Sequence, residues 1–241
     1  MVYTGIDISE HNGNIDFDKV SKEIDFAIIR IGYGVTYTLN QKDKYFERNY
    51  NGLFGKIPVG IYYYSYAKNI GDGVKEANNC LKYLAGRKLD LPIFYDVEDN
   101  SMNHVNEVSR EFIDTIKNAG YKAGIYTYQY WLECGKVDHR RFNDCLKWFA
   151  AYGKNTGTMS GTAPNYNDIW QYTSKGKVNG ISGNVDLNYT TIDFKGVEKM
   201  PYYKEAWELA KKRGIIESSR PEEVPNKGWF IFILWKLGVL K

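Results

Sequence analysis

The sequence predicts an α/β protein: a distorted TIM-like barrel of five β/α units followed by three further strands, with a small C-terminal helical appendage. Three observations predict it. Apolar strand-like runs alternate with amphipathic stretches five times in succession up to Trp131. The runs are almost continuously apolar, as parallel strands covered on both faces must be. Three more such runs then follow with little helix between them, and eight strands of this kind suit a closed barrel. An open doubly wound sheet is the rival topology. It usually carries a Gly-rich phosphate loop after its first strand, and "DISEHNGN" does not match one. The 241 residues suffice for one barrel, commonly about 200–250 residues, plus a small addition.

The elements read in order as follows. "YTGIDIS" is a strand, and "FDKVSKEI" a short helix with Asp16 as its N-cap. "DFAIIRIGYG" is the second strand, and "KDKYFERNYNGLFG" a helix closed by Gly55. "IPVGIYYYSYA" is the third strand. "DGVKEANNCLKYLAGR" is a helix with Val74, Ala77, Leu81 and Leu84 on one face. "LPIFYDVED" is the fourth strand, "NEVSREFIDTIKNAG" a helix ended by Gly120, and "YKAGIYTYQYW" the fifth strand. "LKWFAAYG", "DIWQYTS" and "GNVDLN" supply the last three strands. The barrel domain is expected over residues 1–196. Residues 197–241 form a separate small helical segment, with "YYKEAWELAKKRG" and "WFIFILWKLGVL" as its helices.

Composition excludes several classes. The net charge of +3 sits entirely in residues 197–241, which carry nine Lys+Arg against six Asp+Glu. No basic stripe with interleaved aromatics is present, so no nucleic-acid partner is expected. The three cysteines, Cys80, Cys134 and Cys145, form no CxxC and read as reduced thiols. The histidines His11, His104 and His139 lie far apart in sequence, so a His-based metal site is not expected. Strand-like residues begin by Tyr3, leaving no room for a signal peptide. The apolar tail is too short to span a bilayer, so no membrane insertion is expected. Most of the 21 tyrosines read as strand packing.

In a barrel, function lies at the C-terminal ends of the strands. "PIFYDVED" ends an apolar strand in three carboxylates. Strand alternation puts Asp96 and Glu98 on one face above Phe94, with Cα atoms roughly 6.5–7 Å apart. The same alternation turns Asp7 of "GIDIS" and Asp186 of "NVDLN" into the barrel, with Ile6, Ile8, Val185 and Leu187 outward. Asp99 falls off this face and belongs to the loop. Four acids from three strands crowd one rim, so at least one pKa must rise and a proton donor results. Oxygen-ligated Mg²⁺ or Ca²⁺ is the rival use of such a cluster, and pairing with barrel cations such as Arg30 is the plain structural one. Tyr62, Tyr64 and Tyr126, near strand ends, and Gln171, on the seventh strand opposite in facing to Trp170, are candidate substrate contacts. A core role predicts the same tyrosines.

"GIDISEHNGNIDF", "FAIIRIGYG", "VGIYYYSYA", "PIFYDVED", "GYKAGIYTYQYW" and "DIWQYTSKGKVNGISGNVDLN" occur in this order. Together, over roughly residues 3–194, they resemble the glycoside hydrolase family 25 lysozymes, the N-acetylmuramidases common in phage endolysins. The resemblance implies hydrolysis of the β-1,4 bond between N-acetylmuramic acid and N-acetylglucosamine in bacterial peptidoglycan, without a cofactor or metal. By motif it maps the family's acid to Glu98, its partner carboxylate to Asp96, and the acids of the first and last strands to Asp7 and Asp186. The N-acetyl group of the sugar favours acetamido participation with Asp96 assisting. It also implies an enzyme made in the host cytoplasm and acting on the wall after membrane permeabilisation. A chitinase-like hydrolase, a non-catalytic wall-binding barrel and a metal-dependent phosphodiesterase are the alternatives. In the C-terminal segment, "AWELAKKRGII" resembles the first helix of surface-layer-homology wall-binding segments. Wall targeting, self-association and packing on the barrel all stay open for it.

Overall fold

A computed structural model of the chain describes residues 1–194. Residues Met1–Phe194 form one compact unit. The C-terminal segment expected at 197–241, with its boundary, lies outside the described residues.

Eight strands close into a barrel in sequence order. They are β1 (Tyr3–Ile8), β2 (Phe26–Tyr33), β3 (Val59–Tyr64), β4 (Ile93–Asp96), β5 (Ala123–Tyr128), β6 (Leu146–Ala150), β7 (Ile169–Gly176) and β8 (Val185–Thr190). Pairing is parallel from β1 through β7, while β8 runs antiparallel to both β7 and β1. That reversal was not foreseen from the apolar runs, which carry no direction. The helices are α1 (Phe17–Val20), α2 (Phe46–Leu53), α3 (Ile70–Leu84), α4 (Val105–Asn118) and α5 (Gln129–Glu133). Asp16 caps α1 as expected, its carboxylate accepting the Lys19 N–H at 3.2 Å.

Two apolar layers result from strand alternation. Phe26, Ile28, Phe94, Tyr126, Trp148 and Ile169 fill the barrel interior. Ile6, Ile8, Ile29, Ile31, Ile61, Tyr63, Tyr95 and Val97 face outward onto the helices. Large and small residues alternate inside, as a narrow barrel requires: Phe94 lies over Gly124, where a Cβ would sit 2.4 Å from its ring. Outside, α3 approaches α4 so closely that a Cβ on Gly73 would meet the Val108 carbonyl oxygen at 2.3 Å.

Three expectations need correction. Residues 42–45 are not helical: Lys42 bridges to Gly32 and Asp43 is buried as an acceptor, so α2 starts at Phe46. The face of α3 that is buried runs through Gly73, Glu76, Ala77, Cys80, Tyr83 and Leu84, with Val74 and Leu81 half-buried. Hydrophobic periodicity missed it because a buried glutamate and glycine lie on it. The fifth strand stops at Tyr128, and Trp131 belongs to α5.

Gly124→Ala tests the interior packing. The added methyl meets the Phe94 ring and, at 2.9 Å, the Leu146 carbonyl oxygen. A loss of about 1–3 kcal/mol is expected, read from the urea midpoint of the full chain. An unchanged midpoint would show that the barrel floor is looser than described.

Candidate active site

β1 and β8 pair so that Asp7 and Asp186 are direct cross-strand partners. Like charges in that position repel. The pair avoids this by titrating apart: their mutual interaction lowers Asp7 and raises Asp186, so Asp186 keeps its proton to higher pH. Burial pushes the Asp186 carboxyl up to about 8, with help from the charges of Asp7 and Glu98. Burial also pushes Asp7 up, but only to about 6, because amide N–H groups oppose it.

Those amides are oriented from behind. The Trp148 indole Nε1–H can only donate, and it reaches Asn188 Oδ1 at 2.7 Å. The NH₂ end of Asn188 must then face Asp7, and it donates to Oδ2 at 2.8 Å. On the other side the Tyr126 and Tyr152 hydroxyls donate to Gln171 Oε1 at 2.8 and 2.7 Å. Gln171 Nε2 donates to the same Asp7 oxygen at 2.8 Å. Gln171 is therefore the inward residue of its pair, and Trp170 packs outward.

The other two acids come from β4. Regular pairing ends at Asp96, so Glu98 lies just past the strand and not within it. The Val97 N–H still donates to the Tyr126 carbonyl at 3.0 Å, and Thr127 Oγ1 donates to the Val97 carbonyl at 2.9 Å. These bonds carry the alternation one residue further and hold Glu98 on the side of Asp96. Asp96 is buried, and its Oδ1 has no hydrogen-bond partner among the described residues. Burial, then the charges of Glu98 and Asp7, push it well above the usual carboxylate range, against the pull of Arg30. Glu98 is half-buried and pushed up to about 7 by burial, then by Asp7 and Asp99. Asp99 is a loop residue as expected, accepting from Ser101, yet it adds to the field on Glu98.

Arg30 does not neutralise the cluster by direct pairing. It pairs with Asp43 at 2.8 Å and Glu10 at 3.0 Å. All eight expected site residues meet at this rim. Tyr62 lies within the fields of Asp7, Asp96 and Asp186, and Tyr64 within those of Glu98 and Asp96. Sequence reading missed Asn188, Trp148 and Tyr152. The signal for Asn188 was present: it lies two residues after Asp186 and shares its face.

The raised carboxyls make stability depend on pH. Unfolded, such groups titrate near about 4; folded, Asp7, Glu98 and Asp186 hold protons to about 6, 7 and 8. The folded state binds more protons between these limits, so the cluster's contribution to stability falls as pH rises from about 4 and is lost above about 8. Asp186→Asn keeps a donor toward Asp7 but removes the titration near about 8. The variant is expected to lose less stability between pH 5 and 8 than the parent, by urea unfolding at both pH values. Equal losses would contradict the assignment of the proton to Asp186.

The model of the Glycosyl hydrolases family 25 matches residues 6–181. The autolytic lysozyme of Clostridium acetobutylicum is 29% identical over 189 residues, covering 76% of this chain. The chain spans 54% of that relative's length. The catalytic domain of endolysin ply40, from bacteriophage P40 of Listeria monocytogenes, has a TM-score of 0.67 at 30% identity, over 80% of this chain and 95% of that one. The modular autolysin LytC of Streptococcus pneumoniae, solved with a synthetic peptidoglycan ligand, has a TM-score of 0.65 at 32% identity, over 78% of this chain and 46% of that one. With the family model covering most of the barrel, the chain belongs to glycosyl hydrolase family 25.

Proposed function

We propose that the chain is a peptidoglycan hydrolase, a lysozyme that cuts the β-1,4 bond between N-acetylmuramic acid and N-acetylglucosamine. One observation carries the reading: a half-buried Glu98, held protonated to about pH 7, beside a buried Asp96 on the same strand end. The autolytic lysozyme, the phage endolysin and the autolysin solved with a peptidoglycan ligand support the same substrate. A role in phage host lysis has the endolysin likeness behind it. No helix among the described residues is long and apolar enough to cross a membrane.

Glu98 is the general acid. It reaches solvent and gives its proton to the leaving glycosidic oxygen as the bond to C1 breaks. The acetamido oxygen of the sugar closes on C1. The unpartnered Asp96 Oδ1 accepts the acetamido N–H and stabilises the positive ring that forms. Water then opens that ring, and the Glu98 carboxylate takes the water's proton back. Asp7 acts through its charge on Glu98 and Asp96. Tyr62, Tyr64, Tyr126 and Gln171 shape the rim around the sugar.

Glu98→Gln is expected to cut the release of reducing ends from purified peptidoglycan by about 10²–10⁴-fold, the usual worth of a general acid, with folding intact. Parental rates in that variant would remove Glu98 from the mechanism. Mass spectrometry of the parental products is expected to find N-acetylmuramic acid at the reducing end. N-acetylglucosamine there would mean that a different bond is cut. Because Glu98 must be protonated to donate, kcat is expected to fall as pH rises through about 7. A rate flat from pH 6 to 9 would contradict this.

A further inference from the structure

A further buried carboxylate lies outside the barrel mouth. Glu76 is fully buried on α3, behind β3 and β4. Burial pushes its carboxyl up to about 7, and hydrogen bonds from Tyr95 and the Tyr66 backbone pull it back. For packing alone an apolar side chain would serve better there, since a buried carboxyl is costly. What an apolar side chain cannot do is accept a backbone N–H.

Glu76 does so. Its Oε1 accepts the Tyr66 backbone N–H at 2.9 Å, and its Oε2 accepts the Tyr95 hydroxyl at 2.6 Å. The Tyr95 hydroxyl lies 2.8 Å from Ser65 Oγ, which accepts the Ala67 N–H at 3.1 Å. The Ser65 N–H donates to the Asp96 carbonyl at 3.0 Å. One carboxylate thus holds, from behind, the turn of residues 65–67 where the chain leaves β3. The Tyr66 side chain on that turn is 42% exposed. Its ring lies 5.0 Å from Tyr64 and 6.2 Å from Tyr33, and its hydroxyl feels the charges of Asp99 and Asp96. These three rings form an aromatic wall beside the catalytic acids.

We propose that Glu76 is a positioning residue for this wall: it fixes the 65–67 turn, and through it the Tyr66 ring against which a glycan strand lies. This rests on the reading of the cleft as a glycan site. The ring offers the flat apolar face that a sugar covers, with a polar tip at the edge. Glu76 touches neither substrate nor the reacting atoms.

The test compares Glu76→Ala, Glu76→Leu, Glu76→Gln and Tyr66→Ala in the full chain. Two readouts are taken well below each melting temperature: KM and kcat on soluble glycan strands from peptidoglycan, and Kd for the same strands in a Glu98→Gln background. Glu76→Ala is expected to raise KM and Kd about tenfold, with a smaller change in kcat and no shift in its pH profile. Glu76→Leu fills the space without accepting the N–H and gives the same result if the alanine variant fails to fold. Tyr66→Ala reproduces the rise with no loss of melting temperature. Glu76→Gln keeps an oxygen for the Tyr66 N–H and returns both constants to within about twofold of the parent. Unchanged constants in folded Glu76→Leu or in Tyr66→Ala, or no rescue by glutamine, overturn the proposal. A parent that binds strands without cutting them sinks the hydrolase reading, while the Kd comparison still decides on Glu76.

Discussion

The site depends on one buried anion and the two amides that hold it. Asp7 sits at the only strand pair where the direction of the sheet reverses against β1, and it faces another acid there. Alone, a buried carboxylate at that point would take up a proton to escape desolvation. Instead the amide ends of Asn188 and Gln171 both donate to it. Neither amide is free to turn. The Trp148 indole fixes one and two tyrosine hydroxyls fix the other. The charge of Asp7 is therefore a property of the barrel wall from β5 to β8. That charge is felt by Asp96, Glu98 and Asp186 alike.

The irregular half of the barrel is what makes this network possible. A regular eighth β/α unit would run parallel to β1. Here β8 returns antiparallel from β7, and Asp186 and Asn188 project inward at the mouth beside Asp7 and Gln171. Past β6 the chain continues into Tyr152, whose hydroxyl reaches over to Gln171. The regular half supplies the acids of β4 and the helices that brace them. The irregular half supplies the neutral donors.

The site was legible in the sequence wherever alternation could be counted along a strand. Asp96 over Phe94, Asp7 between Ile6 and Ile8, and Gln171 against Trp170 follow from period two alone. The reversal of β8 was not legible, since an apolar run reads the same in either direction. Nor were the donors: Asn188 and Tyr152 are ordinary residues until the barrel closes and brings β6, β7 and β8 around Asp7. Glu76 was hidden for a different reason. A helix face is recognised by apolar spacing, and here a charged residue lies on the buried side because its partners are a backbone N–H and a tyrosine from another element.

The two acids of "PIFYDVED" are told apart by access. Both are pushed upward, Asp96 well above the usual carboxylate range and Glu98 up to about 7. Proton affinity alone does not choose the donor between them. But Asp96 is buried with an oxygen that nothing in the free protein satisfies, whereas Glu98 lies past the end of the strand and is only half-buried. A donor must reach the leaving oxygen and must release its proton near the working pH. An acceptor left unpaired in a buried pocket gains when a ligand brings an N–H to it, because the desolvation has already been incurred on folding. On the proposed mechanism the strand end therefore divides the labour by two residues of reach. Asp96, inside, waits for the substrate's amide. Glu98, one step out, carries the proton.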